Sequence, residues 1–289
     1  MTARPVSPGS QLSLPLSPSP GLRLQVLGSS SAGNATLVWS DRTAILIDCG
    51  FSPRYVAKQL KALGLSLSSL SGLVVTHVHS DHVNNVIVDE LTRRGVPVFC
   101  PPRIERPLKM QYASLEGASR AGLLRMFRKG GLVIGGLGLE AFEVPHDSPG
   151  GCFGYSIFDG DLKITIATDI GYPSDGMLER FADSHLIVLE SNHDLEMLER
   201  SDRPAWLKRR IRERGHLSND QCAGFAVDVL RRSETVARTI VLAHISQECN
   251  TNVLAVGCTA AALAANGFGR IPVLETHMDS PGAVVEVIP

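Results

Sequence analysis

Apolar residues fall in short runs along most of the chain, separated by stretches with helical spacing. In the first half these patterns predict strands over residues 22–27, 36–39, 44–47, 73–76 and 96–100, and helices over 53–64, 83–94 and 103–130. In the second half they predict strands over 139–144, 153–158, 162–167, 186–189, 239–243, 271–274 and 284–287, and helices from 218 onward and over 252–265. Two β-rich halves that each carry helices predict two sheets packed together with helices outside.

Two local signals sharpen this pattern. Asp159-Gly160 lies between two apolar runs and predicts a β-hairpin. Ser218 and Gln221 have the spacing of a capping box, which predicts that a helix begins there.

The first twenty residues are rich in proline and serine. Because proline interrupts every apolar stretch there, a disordered tail over 1–20 is favoured over a secretion signal. Residues 21–289 are predicted to form a single domain. No apolar run reaches the roughly 18 residues that a membrane-spanning helix needs.

Composition narrows the class of protein. Hydrophobic residues make up 44% of the chain and charged residues 20%, which is typical of a globular protein. The net charge of −1 excludes a strongly basic coat for binding nucleic acid, but not a local basic patch. The six cysteines are scattered without metal-site or disulfide spacing, which favours free thiols in the cytoplasm.

The most informative segment follows the strand predicted over 73–76. His77, His79, Asp81 and His82 place four potential metal ligands within six residues. In extended backbone His77 and His79 project to the same side, and the following turn can carry Asp81 and His82 to a second metal. Imidazole and carboxylate suit zinc, manganese or iron. A solvated His-rich turn is the alternative interpretation.

Other potential ligands stand at the ends of predicted strands. His146, Asp169 and His244 each follow one, and a carboxylate such as Asp169 can bridge two cations. Asp48 also ends a strand and is a candidate for orienting the ligands by hydrogen bonds. A single residue of this kind is more often a cap or a turn residue, but three alongside the histidine cluster favour a metal site.

Together these residues resemble the metallo-β-lactamase superfamily. Its H-x-H-x-D-H signature is intact at residues 77–82, and its later ligands and early aspartate match His146, Asp169, His244 and Asp48. The resemblance implies an α/β fold, the αββα sandwich, with two mixed sheets, helices on both outer faces and a dinuclear site at one sheet edge. It also implies that one metal is held by His77, His79 and His146, that the other is held by Asp81, His82 and His244, and that Asp169 bridges them.

Four further segments resemble the WalJ/YycJ-type branch, cytoplasmic members with exonuclease activity on DNA. These segments are residues 28–34, 189–194, 215–219 and 242–246. The spacing of His216 and His244 also resembles that of ribonuclease Z. The chain departs from the family pattern at Val78, at Cys249-Asn250, and at Asn85, which replaces a glycine and tolerates a left-handed backbone. None of these departures removes a ligand.

A two-metal site explains the implied chemistry. Two divalent ions lower the pKa of a shared water, so that a metal-bridged hydroxide can attack a phosphodiester at neutral pH. Asp81 and His216 are the candidate catalytic residues, with His216 as proton donor to the leaving group. Glu190 is the candidate carboxylate that supports a protonated His216, and the alternative role for His216 is to tie its loop to the sheet.

Substrate contacts are predicted from two features. The segment with Ser30, Ser31 and Asn34 could present backbone N–H groups to a phosphate, or simply form a tight strand connection. His193 is a further candidate contact. The basic run over residues 208–214 could meet a nucleic-acid backbone, although a solvated helix face is the more common outcome.

The leading hypothesis is a hydrolase that binds two divalent metal ions, zinc, manganese or iron, and acts as a 5′-to-3′ exonuclease on DNA. A hydrolase of a lactone, thioester or lactam with the same site is the first alternative. A non-catalytic metal-binding interaction protein is the second. The sequence predicts no membrane contact and leaves the oligomeric state open.

Overall fold

Fourteen strands build the two sheets of the protein in a computed structural model, which describes residues 21–127, 131–235 and 237–289. In chain order they are β1 (Leu22–Ser30), β2 (Gly33–Trp39), β3 (Ala44–Ile47), β4 (Gly72–Val74), β5 (Val98–Cys100), β6 (Leu124–Met126), β7 (Leu132–Ile134), β8 (Leu137–Val144), β9 (Cys152–Asp159), β10 (Leu162–Ala167), β11 (Leu186–Glu190), β12 (Thr239–Ala243), β13 (Val273–Leu274) and β14 (Val285–Val287). The tail predicted over 1–20 lies outside the described residues.

The two sheets have matching mixed topologies. The first has the order β14-β1-β2-β3-β4-β5-β6 and the second the order β13-β12-β11-β10-β9-β8-β7. In the first, pairing is antiparallel from β14 to β3 and parallel from β3 to β6. In the second, it is antiparallel from β7 to β10 and parallel from β10 to β13.

Helices cover the outer faces of both sheets. They are α1 (Pro53–Ala62), α2 (Asn85–Arg93), α3 (Pro102–Gln111), α4 (Ala113–Arg120), α5 (Asp175–Phe181), α6 (Leu195–Arg200), α7 (Ala205–Arg210), α8 (Asn219–Arg232) and α9 (Asn252–Ala265), with a 3₁₀ turn at Leu67–Ser69 and a π-helical turn at Ile211–Gly215. None of the described helices has both the length and the apolarity that crossing a bilayer requires.

The main core lies between the sheets. Buried side chains of both sheets and of α1 to α4 form one continuous apolar cluster, and a second cluster joins the other face of the second sheet to α5, α8 and α9. Tyr155 of β9 is fully buried and its hydroxyl donates to the Val75 carbonyl at 2.5 Å, which links the two sheets next to the histidine segment. The predicted αββα sandwich is confirmed.

Most predicted elements are present, and the differences have local causes. The helix predicted from residue 83 begins at Asn85, because the Asn84 side chain caps it by accepting from Val86 and Ile87 N–H groups. The segment predicted as helix over 103–130 forms α3 and α4 but then the strand β6, while 128–130 lie outside the described residues. The elements α5, α6, α7 and β7 were not predicted from the sequence.

Asn85 is the departure from the family pattern that tolerates a left-handed backbone. It does not adopt a left-handed backbone but begins α2. Its side-chain oxygen accepts from the backbone N–H and the hydroxyl of Ser114 at 3.2 and 2.8 Å, which links α2 to α4.

Candidate metal centre

The ends of the parallel strands of both sheets meet at one edge, and the backbone there is strained. Asp48, Asp169 and His244 follow β3, β10 and β12 and have left-handed φ angles of 58°, 57° and 55°. Such angles are uncommon for residues other than glycine and persist only where the surroundings enforce them. The backbone therefore holds three of the predicted site residues in fixed, unusual positions.

The segment from His77 to His82 is held by backbone contacts to the first sheet. Asn34 and Cys49 donate their N–H groups to the carbonyls of Asp81 and His82, at 2.7 and 2.8 Å. Gly50 packs against the Asp81 carbonyl so closely that a Cβ atom would collide with it. The turn that carries Asp81 and His82 is thus fixed between β2 and β3.

The predicted ligands form two adjacent groups that share Asp169. One group is His77, His79, His146 and Asp169, and the other is Asp81, His82, His244 and Asp169. Within each group the potential ligand atoms all lie within 4.8 Å of one another. In the first, His77 Nε2 and His146 Nε2 lie 3.0 and 3.4 Å from His79 Nδ1. In the second, His82 Nε2 lies 3.0 Å from Asp169 Oδ2 and 3.3 Å from Asp81 Oδ2.

Asp48 orients one histidine of each group. Its Oδ2 lies 2.7 Å from His82 Nδ1 and also accepts from the Thr76 hydroxyl at 2.7 Å. Since that hydroxyl donates to Asp48, it can accept from His77 Nδ1, which lies 2.9 Å away. Both imidazoles then carry the proton on Nδ1 and direct the Nε2 lone pair into the site, as in many metal sites. Asp48 has the predicted orienting position.

Glu190 has the corresponding role on the second sheet. This fully buried carboxylate lies 2.8 Å from His244 Nδ1 and 2.9 Å from His216 Nδ1 through the same oxygen, Oε1. Its other oxygen accepts from the Ile170 and Leu217 N–H groups at 2.8 and 3.0 Å. The predicted contact between Glu190 and His216 is present, and the same carboxylate also orients a potential metal ligand.

The electrostatics of the two groups differ. Burial lowers the pKa values of His77, His79 and His146, which keeps these imidazoles neutral with a free lone pair. Burial also lowers the pKa of His244, but Asp169, Asp81 and Glu190 outweigh it and raise this pKa to about 10. Burial raises the pKa of Glu190, but His216 and His244 outweigh it and lower this pKa to about 2. Glu190 is therefore an anion at neutral pH.

The donor set fits divalent cations. Imidazole nitrogens and carboxylate oxygens are ligands of zinc, manganese and iron. Asp169 Oδ2 is buried and has no hydrogen bond of good geometry among the described residues, although a carboxylate oxygen in that position needs a compensating partner. A cation between the two groups would satisfy it.

A cavity of about 430 Å³ opens onto both groups. It is lined by His79, Asp81, His146, Asp169, His216 and His244, and its outer wall includes Ser31, Gln111, Arg203, Leu207 and Arg210. The His216 side chain is 22% exposed and therefore accessible to a bound molecule. The cavity provides a path from solvent to the potential metal ligands.

The predicted substrate contacts differ in whether they reach the cavity. Ser31 lines the cavity, whereas Ser30 and Asn34 are buried. The Asn34 side-chain amide lies 3.2 Å from Asp81 Oδ2 and 3.0 Å from His82 Nε2, so it contacts the two ligands at the atoms that they direct into the site. Asn34 is in turn fixed by the Ser29 hydroxyl at 2.8 Å.

His193 does not line the cavity. It is 1% exposed, and neither ring nitrogen has a hydrogen-bond partner within the described ranges. Burial lowers its pKa to about 4. A neutral, buried imidazole favours a packing role over the predicted contact with substrate.

This pKa predicts an acid-sensitive contribution to stability. Unfolded histidine binds a proton near pH 6.5, whereas folded His193 does so near pH 4, so the unfolded state gains a proton first as pH falls. We expect His193 to lower the free energy of unfolding by about 3 kcal/mol between pH 6.5 and 4. Chemical denaturation of wild type and His193→Phe over this range should give a shallower pH dependence for the variant. Equal slopes would contradict the prediction.

Sequence reasoning missed several residues of the site. Thr76 connects Asp48 to His77, and the Gly215 carbonyl accepts from His146 Nδ1 at 2.9 Å. Arg210 forms a two-point ion pair with Asp147, at 2.6 and 2.9 Å, on the cavity wall. The position of Thr76 between a strand and the first histidine was a usable signal. The partners of Gly215 and Arg210 are more than sixty residues away in sequence, so no local pattern indicated these two contacts.

Fold and site together define a metallo-β-lactamase-type protein, an αββα sandwich with two neighbouring His/Asp groups at one edge. The model of the beta-lactamase superfamily domain matches residues 43–245. The chain is 32% identical to exodeoxyribonuclease YycJ of Bacillus anthracis, over 90% of this chain and 96% of that protein. It is 30% identical to exodeoxyribonuclease WalJ of Streptococcus pneumoniae, over 92% and 98%. The chain therefore belongs to the metallo-β-lactamase superfamily and, within it, to the WalJ/YycJ type.

A solved structure supports the same fold. The metallo-beta-lactamase fold protein YhfI from Bacillus subtilis superimposes with a TM-score of 0.66 at 16% identity, over 93% of this chain and all of that one.

Proposed function

We propose that this protein is a metal-dependent phosphodiesterase that degrades DNA from its 5′ end. The observation that carries the proposal is the pair of ligand groups sharing Asp169, with His216 beside them on the same cavity. The similarity to two proteins named exodeoxyribonuclease, over nine-tenths of the chain, supports DNA as the substrate.

Each ligand group would hold one divalent ion. His77, His79 and His146 would bind the first, Asp81, His82 and His244 the second, and Asp169 both; zinc, manganese and iron all suit these donors. Such ions, when bound, supply a nucleophile from water at neutral pH and neutralise charge on the phosphoryl oxygens. Asp48 and Glu190 hold the ligands in orientation by the hydrogen bonds described above.

His216 would donate the proton that the leaving oxygen needs. Its Nδ1 is hydrogen-bonded to the anionic Glu190, which fixes the orientation of the ring and leaves the other nitrogen for the substrate. Asp81 is the second proposed catalytic residue, because its carboxylate lies on the cavity between His82 and His244.

We propose a cytoplasmic location. All six cysteines are free thiols and five of them are buried, as expected for a protein kept in a reducing compartment. Burial raises the pKa of Cys49, Cys100 and Cys222 to about 12, which makes these thiols unreactive.

Metal-dependent cleavage of end-labelled DNA tests the function. We expect protein loaded with zinc or manganese to release mononucleotides from 5′ ends, to lose this activity with a chelator and to regain it when metal is returned. Single-stranded and duplex DNA labelled at either end will report polarity and strand preference. Absence of nucleotide release, together with cleavage of a thioester, lactone or lactam, would contradict the proposal.

A further inference from the structure

A basic helical segment separates the metal cavity from a second groove. Six basic residues and one acid, Glu213, fall within residues 203–214, although the whole chain has a net charge of −1. This segment contains α7 and the π-helical turn that follows it. Its charge is therefore concentrated beside the metal centre.

One face of the segment belongs to the cavity. Leu207, Arg210 and Ile211 line it at the i, i+3, i+4 spacing of a single helix face, and Arg203, which precedes α7, lines it as well. Glu248 pairs with Arg203 at 2.8 Å, and Asp147 pairs with Arg210. These carboxylates fix the two guanidinium groups in the cavity wall.

The opposite face forms a groove of about 500 Å³. It is lined by Glu199, Ala205, Trp206, Lys208, Arg209 and Arg212. Trp206 is 62% exposed, an unusual position for the largest apolar side chain. Glu199 neutralises Arg212 at 2.5 Å, whereas Arg209 is exposed and has no ion pair among the residues that the structure describes.

An exposed indole among cations suits one kind of ligand. Single-stranded nucleic acid is bound by aromatic side chains on which bases stack and by basic side chains that follow the phosphates. The bases of a duplex are already stacked on each other, so a single tryptophan on an open surface favours an unpaired strand. The groove is also only one helix diameter, about 10 Å, from the cavity.

We propose that the groove of Trp206 and Arg209 binds the single-stranded part of the DNA that enters the metal centre. Trp206 stacks on one base and Arg209 contacts a phosphate. This inference rests on the proposed function for its substrate, but it concerns binding away from the metals.

Binding measurements with a single-stranded oligonucleotide test the proposal. In a full-length, metal-loaded His216→Ala background, which limits cleavage, Trp206→Ala should raise the Kd for oligo(dT) about tenfold, the effect of losing one base stack. Trp206→Phe should restore most of the affinity. With Trp39 replaced by Phe, oligo(dT) should quench the fluorescence of Trp206.

The salt dependence separates the two side chains. Arg209→Ala should reduce the slope of log Kd against log salt by about 0.7, the contribution of one phosphate contact on a single strand. Trp206→Ala should leave this slope unchanged. The matched control is Arg270→Ala, because Arg270 is also exposed but precedes β13, at the opposite edge of the sheet.

Kinetics distinguish a failure of this proposal from a failure of the proposed function. Trp206→Ala should raise KM for single-stranded DNA and leave hydrolysis of bis(p-nitrophenyl) phosphate unchanged. If the protein cleaves DNA but neither Trp206→Ala nor Arg209→Ala changes Kd or KM, the proposed binding role of the groove is wrong and the proposed function still stands. Equal weakening of blunt duplex binding by Trp206→Ala would also overturn it. Oligonucleotide binding through Trp206 without any DNA cleavage would support the groove and contradict the function.

Discussion

Asp169→Asn should reduce DNA cleavage about a thousandfold and release metal. Asp169 is the residue shared by both ligand groups, and an amide cannot bridge two cations as a carboxylate does. Metal stabilisation of the transition state is worth several kcal/mol, and each 1.4 kcal/mol is about tenfold in rate. The cleavage rate and the metal content per protein, measured by mass spectrometry, check this expectation.

The chain offers a closely matched control for this substitution. Asp183 has almost the same left-handed φ angle as Asp169, 58° against 57°, and asparagine tolerates this conformation. Its Oδ1 accepts from the Glu234 and Thr235 N–H groups, which Asn can preserve. Asp183→Asn should therefore keep full activity and full metal content. If Asp169→Asn also keeps both, Asp169 does not bridge metals.

His216→Ala should reduce the rate of DNA cleavage by about 10²- to 10⁴-fold, the usual contribution of a general acid. The leaving group of DNA is a strongly basic alkoxide that needs a proton, whereas p-nitrophenolate leaves without one. We therefore expect hydrolysis of bis(p-nitrophenyl) phosphate to change less than tenfold. Comparison of kcat on the two substrates isolates proton donation from metal binding.

His185→Ala is the control for this variant. His185 precedes β11, at the opposite edge of the sheet from His216, and accepts from the Lys163 N–H at 3.2 Å. Its loss should change neither rate. His216 could instead be a metal ligand, because one of its nitrogens lies close to potential ligand atoms of Asp169, Glu190 and His244. The metal content of His216→Ala distinguishes the two roles. Loss of one metal equivalent in His216→Ala would identify His216 as a ligand rather than a proton donor.

The position of Glu190 couples the two functions. One oxygen contacts both His216 and His244, so a single buried carboxylate orients the proposed proton donor and a proposed metal ligand. A substitution that removes the charge of Glu190 should therefore affect proton transfer and metal affinity together. Asp48 differs in this respect, because it contacts only the ligand side through His82 and Thr76.

Most strands and most helices were predictable because local pattern determined them. β3, β12 and α9 have the predicted bounds, since each is an apolar run between clear turn or cap signals. The weakly patterned helices α5, α6 and α7 were missed. These helices are stabilised by packing against the rest of the protein. Because they are short, they show little periodicity in the sequence.

The amino-acid sequence by itself determined the class of fold and the identity of the proposed ligands, because a dense H-x-H-x-D-H segment and strand-end residues are local features. Only the tertiary structure decided how those ligands are oriented. The hydrogen bonds of Asp48, Asn34, Glu190 and Gly215 join residues far apart in sequence. The tertiary structure also decided that Ser30, Asn34 and His193 are buried and that Arg203 and Arg210 face the cavity. Side-chain exposure and hydrogen-bond partners depend on which strand ends meet, and that is set by the packing of two sheets rather than by any short stretch of chain.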